Sequence, residues 1–74
     1  MDDRTLIERI TDLVAEEQRL QEEPHHDAQT LREIELTLDQ LWDLLRQRRG
    51  REEFGLNPDE AETRDPNTVE RYIQ

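Results

Sequence analysis

The sequence contains no cysteine, only two glycines and three prolines, and 4% aromatic residues. Without cysteine the chain can form neither a disulfide framework nor a thiolate zinc site, and it has no cysteine nucleophile. A chain of 74 residues allows one small domain at most, because so short a chain buries only about 60% of its unfolded surface. A large enzyme fold is therefore excluded, and we expect self-association to supply part of the stability.

Long apolar runs are also absent. No run exceeds three residues, against the roughly 18 that a membrane-spanning helix needs, and the N-terminus lacks the basic and apolar regions of a secretory signal. We therefore expect a cytoplasmic protein that makes no membrane contact. Acidic residues number 20 and basic residues 10, a net charge of -10, so nucleic acid is not an expected partner unless a local basic cluster overcomes the repulsion from its phosphates.

Lysine is missing as well, since all ten basic residues are arginine. We attribute this bias to the base composition of the coding DNA rather than to chemistry.

The first half of the chain carries an apolar stripe typical of an amphipathic helix. Between Leu6 and Leu20 the positions of the stripe recur at three- and four-residue spacing, and one of them is occupied by the polar Glu17. An aspartate precedes the stripe as a candidate N-cap, and Pro24 ends it. These signals predict a first helix over about residues 3–22, followed by a turn over residues 23–27.

A second stripe runs from Leu31 to Leu45 with the same spacing. It predicts a helix over about residues 28–49. Its N-cap is either Asp27 or Thr30, and Gly50 is the candidate C-cap.

Two helices joined by so short a turn must lie antiparallel. The predicted fold is therefore all-α: an antiparallel helical hairpin over residues 1–50, followed by an extended C-terminal tail over residues 51–74. Trp42 and Leu44 flank the second stripe on opposite sides, which is more apolar surface than one partner helix can cover. We expect two hairpins to pair as a homodimeric four-helix bundle. The candidate interface residues are Leu38, Leu41, Trp42, Leu44 and Leu45.

The tail contains short helical signals. Asn57-Pro58-Asp59-Glu60 combines a cap, a first-turn proline and two acids, which predicts one or two helical turns. Val69, Tyr72 and Ile73 form a small apolar face. We expect the tail to dock on the bundle of its own protomer or of the partner, with a mobile tail as the alternative.

The sequence offers few groups for chemistry. His25 and His26 form two Glu-x-x-His pairs with Glu22 and Glu23, the spacing of di-iron bundle ligands. Pro24 interrupts both pairs within the turn, so we interpret them as a solvated turn, with adventitious metal binding left open. No catalytic, cofactor or metal-binding residue is assigned.

Glu17 occupies a core position of the first stripe, where a carboxylate needs a partner. A pairing with an arginine such as Arg32, or a role in setting the helix register, is the preferred interpretation. A carboxylate-metal bundle enzyme is the alternative, although the second helix has no histidine to complete such a site.

Four arginines cluster at the end of the second helix: Arg46, Arg48, Arg49 and Arg51. They could hold an anion, a nucleic acid or an acidic partner. Acids at the start of the first helix and at Glu52-Glu53 should neutralise them, and a helix C-terminus favours positive charge. Neutralisation is therefore the preferred interpretation.

The stretch Leu38–Arg49, together with Asn57–Ala61 and Val69–Gln74, resembles an uncharacterised family of short acidic actinobacterial proteins, a domain-of-unknown-function family. The resemblance spans essentially the whole chain and departs only at the turn of residues 24–27. It implies a free-standing bacterial protein in which the arginine cluster and the tail are family features. It implies no activity.

These observations favour a non-enzymatic interaction or structural protein that self-associates through its apolar stripes. The alternatives are an acidic regulator of a basic protein, an anion or nucleic-acid binder that uses the arginine cluster, and the carboxylate-metal enzyme.

Overall fold

The computed structural model describes residues 2–65. Helix α1 spans Asp3–Glu22, helix α2 spans Ala28–Glu53, and a single 3-10 turn, η1, spans Pro58–Glu60. The described residues contain no strand, so this part of the chain is all-α as predicted. The predicted apolar face near the C-terminus, at positions 69, 72 and 73, lies outside the described residues.

Helix α1 begins and ends at local signals. The carboxylate of Asp2 accepts a hydrogen bond from the backbone N–H of Thr5 at 2.8 Å, which satisfies one of the free donors of the first turn. At the other end the N–H of Glu23 donates to the carbonyl of Leu20 at 3.2 Å. Pro24 follows, and its ring disfavours a helical conformation for the residue before it.

Helix α2 is capped by Asp27, which resolves the choice between the two candidate caps. The Asp27 carboxylate accepts from the backbone N–H of Gln29 at 2.9 Å and from the hydroxyl of Thr30 at 2.9 Å. Thr30 is therefore not the N-cap; its hydroxyl donates a hydrogen bond to the N-cap residue Asp27. Five residues separate the two helices.

The C-cap predicted at Gly50 is wrong, because α2 continues through Gly50 to Glu53. An interior glycine costs a helix only about 1 kcal/mol, which packing can offset. Gly55, which follows the C-cap residue Phe54, terminates the helix, and its φ of 73° suits a residue without Cβ. The N–H of Gly55 donates to the carbonyl of Glu52 at 3.1 Å and that of Leu56 donates to Arg51 at 2.7 Å. These two bonds make a Schellman motif.

The two helices pack against each other as the predicted hairpin and enclose a small core. Leu6 is fully buried and Ile10 is 3% exposed, and both lie in the half of α1 that faces the C-terminal half of α2. The molecule measures 47 × 25 × 15 Å. Its smallest dimension is little more than one helix diameter of about 10–12 Å, so the helices form a single layer. The α2 residues of the core are Ile34, Leu38, Leu41, Leu44 and Leu45.

We predict that Leu6→Ala lowers the free energy of unfolding by about 3 kcal/mol, because it removes a fully buried side chain from a core that has few members. Leu56→Ala is the matched control. Its side chain is 53% exposed, so the same deletion should cost below about 1 kcal/mol. Urea unfolding followed by circular dichroism measures both, and equal losses would contradict the assigned core.

A second prediction concerns acid. The pKa of Asp27 is lowered by the Thr30 hydroxyl and then by the N–H of Gln29, and the pKa of Asp2 is lowered by the N–H of Thr5. A lowered pKa in the folded state adds stability that is present above the ordinary value of 3.8 and lost as the pH falls through the lowered pKa.

The double variant Asp2→Asn/Asp27→Asn keeps two good caps without a titrating group. Below about pH 4 it should therefore lose less thermal stability than the natural chain, as melting followed by circular dichroism will measure. Identical acid profiles for the two proteins would contradict this role of the caps.

Candidate interaction surfaces

Besides the face that packs on α1, helix α2 uses a second face to hold the tail. We call it the tail face. Its members recur at three- and four-residue spacing along the helix: Gln40, Asp43, Gln47 and Arg51.

The middle of the tail face binds backbone carbonyls of the tail. The amide nitrogen of Gln40 donates to the carbonyl of Arg64 at 3.1 Å, and that of Gln47 donates to the carbonyl of Glu62 at 2.8 Å. Asp43 is 4% exposed, and its carboxylate accepts from Gln47 at 2.8 Å and lies 3.5 Å from Nε of Arg64. A carboxylate this deeply buried needs such partners, and the tail supplies one of them.

The end of the tail face binds the 3-10 turn. Nε of Arg51 donates to the carbonyl of Asn57 at 2.7 Å, and a second guanidinium nitrogen donates to Glu60 at 2.6 Å. Ala61 packs against the apolar core, in which Leu44 is buried. The described part of the tail is therefore docked on its own protomer, and it covers one of the two apolar flanks of α2.

Arg48 joins all three helical elements. Its Nε donates to a carboxylate oxygen of Asp3 in α1 at 2.6 Å, and its Nη1 donates to the carboxylate of Asp59 at 3.0 Å and to the carbonyl of Pro58 at 3.2 Å. The side chain is 7% exposed. The hydrogen bond to Asp3 is the main cause of a raised Arg48 pKa, while burial acts in the opposite direction and Asp59 adds to the rise. The guanidinium therefore stays charged.

The structure divides the arginine cluster into two pairs. Arg48 and Arg51 bind acids of α1 and of the tail, whereas Arg46 and Arg49 are exposed. The start of α1 does supply a neutralising acid, as expected. The acids at Glu52-Glu53 are exposed, and acids of η1 neutralise the cluster in their place.

The opposite flank of the hairpin carries an apolar groove between α1 and α2. We call this side the open face. The groove has a volume of about 210 Å³, below the roughly 300 Å³ at which small-molecule sites begin. At its edges Trp42 is 44% exposed and Ile7 is 41% exposed. The groove residues are Ile7, Ile10, Thr11, Val14 and Trp42.

Past Val14 and Trp42 the open face becomes charged. Glu17 and Arg32 line the same depression, and their pairing stays a prediction. Glu17 is half-buried rather than enclosed in the core. The depression has a surplus of negative charge, since it is lined by three acids and one arginine; its other residues are Glu35, Leu38 and Asp39.

Of the five residues predicted at the interface, the structure leaves only Trp42 on the surface. The hairpin's own core buries the other four, Leu38, Leu41, Leu44 and Leu45. Trp42 stands apart because it lies on the side of α2 that the described part of the tail, up to residue 65, does not cover.

The two histidines lie in the turn between the helices, and both are exposed. Nδ1 of His26 lies 3.1 Å from the carbonyl of Glu23, which ties the ring to the end of α1. Within residues 2–65, histidine and carboxylate side chains do not gather in threes where a metal ion could be held. Neither helix of this range is long and apolar enough to cross a membrane.

A family model described as "Protein of unknown function (DUF2630)" matches residues 2–74. The chain belongs to this family. It is also 44% identical over 77 aligned positions to an uncharacterised protein of Mycobacterium bovis, and the alignment covers 95% of this chain and 88% of the relative. Uncharacterised proteins from two strains of Mycobacterium tuberculosis match equally well. The resemblance to an uncharacterised actinobacterial family is thereby confirmed. No solved structure matches the chain.

Sequence reasoning missed the tail face of this DUF2630 protein. Asp43 does not belong to the apolar stripe of α2, yet its side chain is buried beneath the tail. A usable signal was present, because Gln40, Asp43, Gln47 and Arg51 repeat with the same spacing as the apolar stripe. A stripe of polar residues beside an apolar stripe can indicate a helix face that forms hydrogen bonds to the backbone of another segment.

The contrast between bound and exposed arginines gives a stability prediction. Arg48→Ala should lower the free energy of unfolding by about 2 kcal/mol, since it removes charge-assisted hydrogen bonds to α1 and to the tail. Arg9→Ala is the control on an exposed arginine of α1, and its effect should stay within about 0.5 kcal/mol. Thermal and urea unfolding measure both variants, and an Arg48→Ala protein as stable as the control would contradict the bridging role.

Proposed function

We propose that this DUF2630 protein is a non-enzymatic interaction protein that self-associates through its open face into a homodimeric four-helix bundle. The observation that carries the proposal is the exposure of Trp42 at the edge of an apolar groove, on the flank opposite the docked tail. Tryptophan is among the residues most enriched at the centres of protein interfaces.

The layered architecture supports the same proposal. Helices become stable by burying an apolar stripe between two layers, and this hairpin is a single layer. The tail covers the Leu44 flank through hydrogen bonds from the tail face. On the open face, Trp42 and Ile7 remain without a covering layer among the described residues. A second hairpin on this side would supply the missing layer.

The use of the buried charged groups supports the non-enzymatic part of the proposal. Asp43 and Arg48 are the buried charged residues of the described chain. Both bind the tail, so their structural roles account for their burial without catalysis. The alternative of an anion bound at the arginine cluster is weakened, because Arg48 and Arg51 already bind carboxylates of the same chain.

The test is the mass of the particle in solution. We expect light scattering at micromolar concentration to give twice the chain mass of 9.0 kDa. Trp42→Ala should give a monomer with the same helix content, because it removes the exposed anchor and leaves the seven core residues in place. In the natural protein, tryptophan emission should shift to longer wavelength on dilution as Trp42 becomes solvated.

Phe54→Ala is the matched control. Phe54 is 79% exposed and lies outside the groove, so its loss should leave the dimer intact. If the particle formed by the natural protein has the mass of one chain at every concentration, self-association is refuted. If Trp42 emission in such a monomer responded to serine substitutions at Val69, Tyr72 and Ile73, the end of the tail would be the cover of the groove instead.

A further inference from the structure

We infer that two copies of this chain pair with their α2 helices antiparallel, around a two-fold axis that passes beside Trp42. The arrangement rests on the self-association proposed above and adds its geometry. It is drawn from the distribution of charge along the open face.

Within seven residues of Trp42, the charged side chains on its side of α2 are sorted by sign. Glu35 and Asp39 lie seven and three residues before Trp42, and Arg46 and Arg49 lie four and seven residues after it. Separations of three, four and seven residues return to the same side of an α-helix, so all four side chains share the side on which Trp42 lies. The acidic half joins a depression with a surplus of negative charge. Both arginines are exposed, and Arg46 also lies at the border with the tail face, in a depression that it shares with Asp43 and Gln47.

This pattern is complementary to its own reverse. Consider two α2 helices that run antiparallel and cross at Trp42. A residue that lies a given number of positions after Trp42 in one copy then faces the residue that lies the same number of positions before Trp42 in the other copy. Arg49 is then level with Glu35 of the second copy, and Arg46 is within one residue, or about 1.5 Å along the axis, of a position level with Asp39. Two-fold symmetry repeats each of these two ion pairs, so the dimer contains four ion pairs.

Other pairings of the same surface place like charges together. Parallel α2 helices crossing at Trp42 would set Glu35 against Glu35 and Arg49 against Arg49, which is unfavourable. Of the parallel and antiparallel pairings of α2 at Trp42, only the antiparallel one therefore brings opposite charges together. The molecule measures 47 × 25 Å across its broad side, which is large enough for the roughly 800 Å² per partner that a stable dimer buries.

Charge-reversal variants of the full chain test the arrangement. Arg46→Glu/Arg49→Glu makes the face acidic on both sides of Trp42, and Glu35→Arg/Asp39→Arg makes it basic, so each should raise the dimer dissociation constant roughly tenfold or more. The quadruple variant combines both reversals, so that opposite charges again face each other with their positions exchanged and the net charge is unchanged. Its dissociation constant should return to within about threefold of the natural one. Sedimentation equilibrium measures all of them.

The matched control for net charge is Arg9→Glu/Arg19→Glu. It changes the charge by the same amount as the reversal of Arg46 and Arg49, but its exposed arginines on α1 line neither depression of the open face. It should leave the dissociation constant within about threefold of the natural value.

Cross-linking then fixes the register, because the natural chain contains no lysine side chain to give background. Arg46→Lys and Arg49→Lys each keep the positive charge and introduce one side-chain amine. With a zero-length carbodiimide, peptide mapping of the covalent dimer should join position 46 to Asp39 and position 49 to Glu35. Arg9→Lys is the control and should give neither link.

The outcomes separate the two proposals. A monomeric natural protein overturns both the self-association and its geometry. A dimer that dissociates on Trp42→Ala but tolerates the charge reversals, or that cross-links at other acids, keeps the proposed function and overturns the antiparallel pairing. Loss of the dimer in both double variants, recovery in the quadruple variant and the two expected links support the arrangement.

Discussion

The arrangement of the described chain depends on one guanidinium. Arg48 lies on the side of α2 where the start of α1 and the 3-10 turn both arrive, and it binds a carboxylate from each. Since the hairpin turn fixes only one end of the helix pair, a contact at the opposite end is needed to hold the start of α1 and the tail together against α2.

This constraint explains why the tail lies where it does. Once Arg48 and Arg51 hold η1 at the end of α2, the chain that follows runs back along the helix past Gln47 and Gln40. The amides of these two residues bind its carbonyls, so extended backbone covers the flank that contains Leu44 without needing many apolar residues of its own. The other flank receives no such cover from the described residues, and the exposure of Trp42 follows.

Much of the fold could be predicted from the sequence because its signals are local. The apolar spacing predicted both helices, the short turn between them predicted their antiparallel packing, and the cap at Asn57 marked the 3-10 turn. The end of α2 was misplaced because two glycines competed for one role. Gly50 came first, but the Schellman bonds form at Gly55, where the packing of the tail begins.

The sites were harder to predict, because they depend on contacts between residues distant in the sequence. The partners Asp3 and Arg48 are 45 residues apart, and only the hairpin geometry indicated that such a pairing was available. The burial of Asp43 depends on the path of the tail, which no spacing within α2 specifies. The division of the arginine cluster follows in part from the helix, because Arg48 continues the apolar stripe three residues after Leu45, whereas Arg49 lies on the side of Trp42.

The structure also gives the arginine bias a chemical meaning that base composition does not. Arg48 uses two different nitrogens to bind carboxylates on two elements, and Arg51 uses two to bind a carbonyl and a carboxylate. A guanidinium offers five donors in a fixed plane, whereas a lysine ammonium is a single point charge on a flexible stem. At these two positions a lysine could hold one partner well but not both in their present directions. The choice of arginine is therefore a structural requirement there, whatever the cause of the bias in the remaining eight.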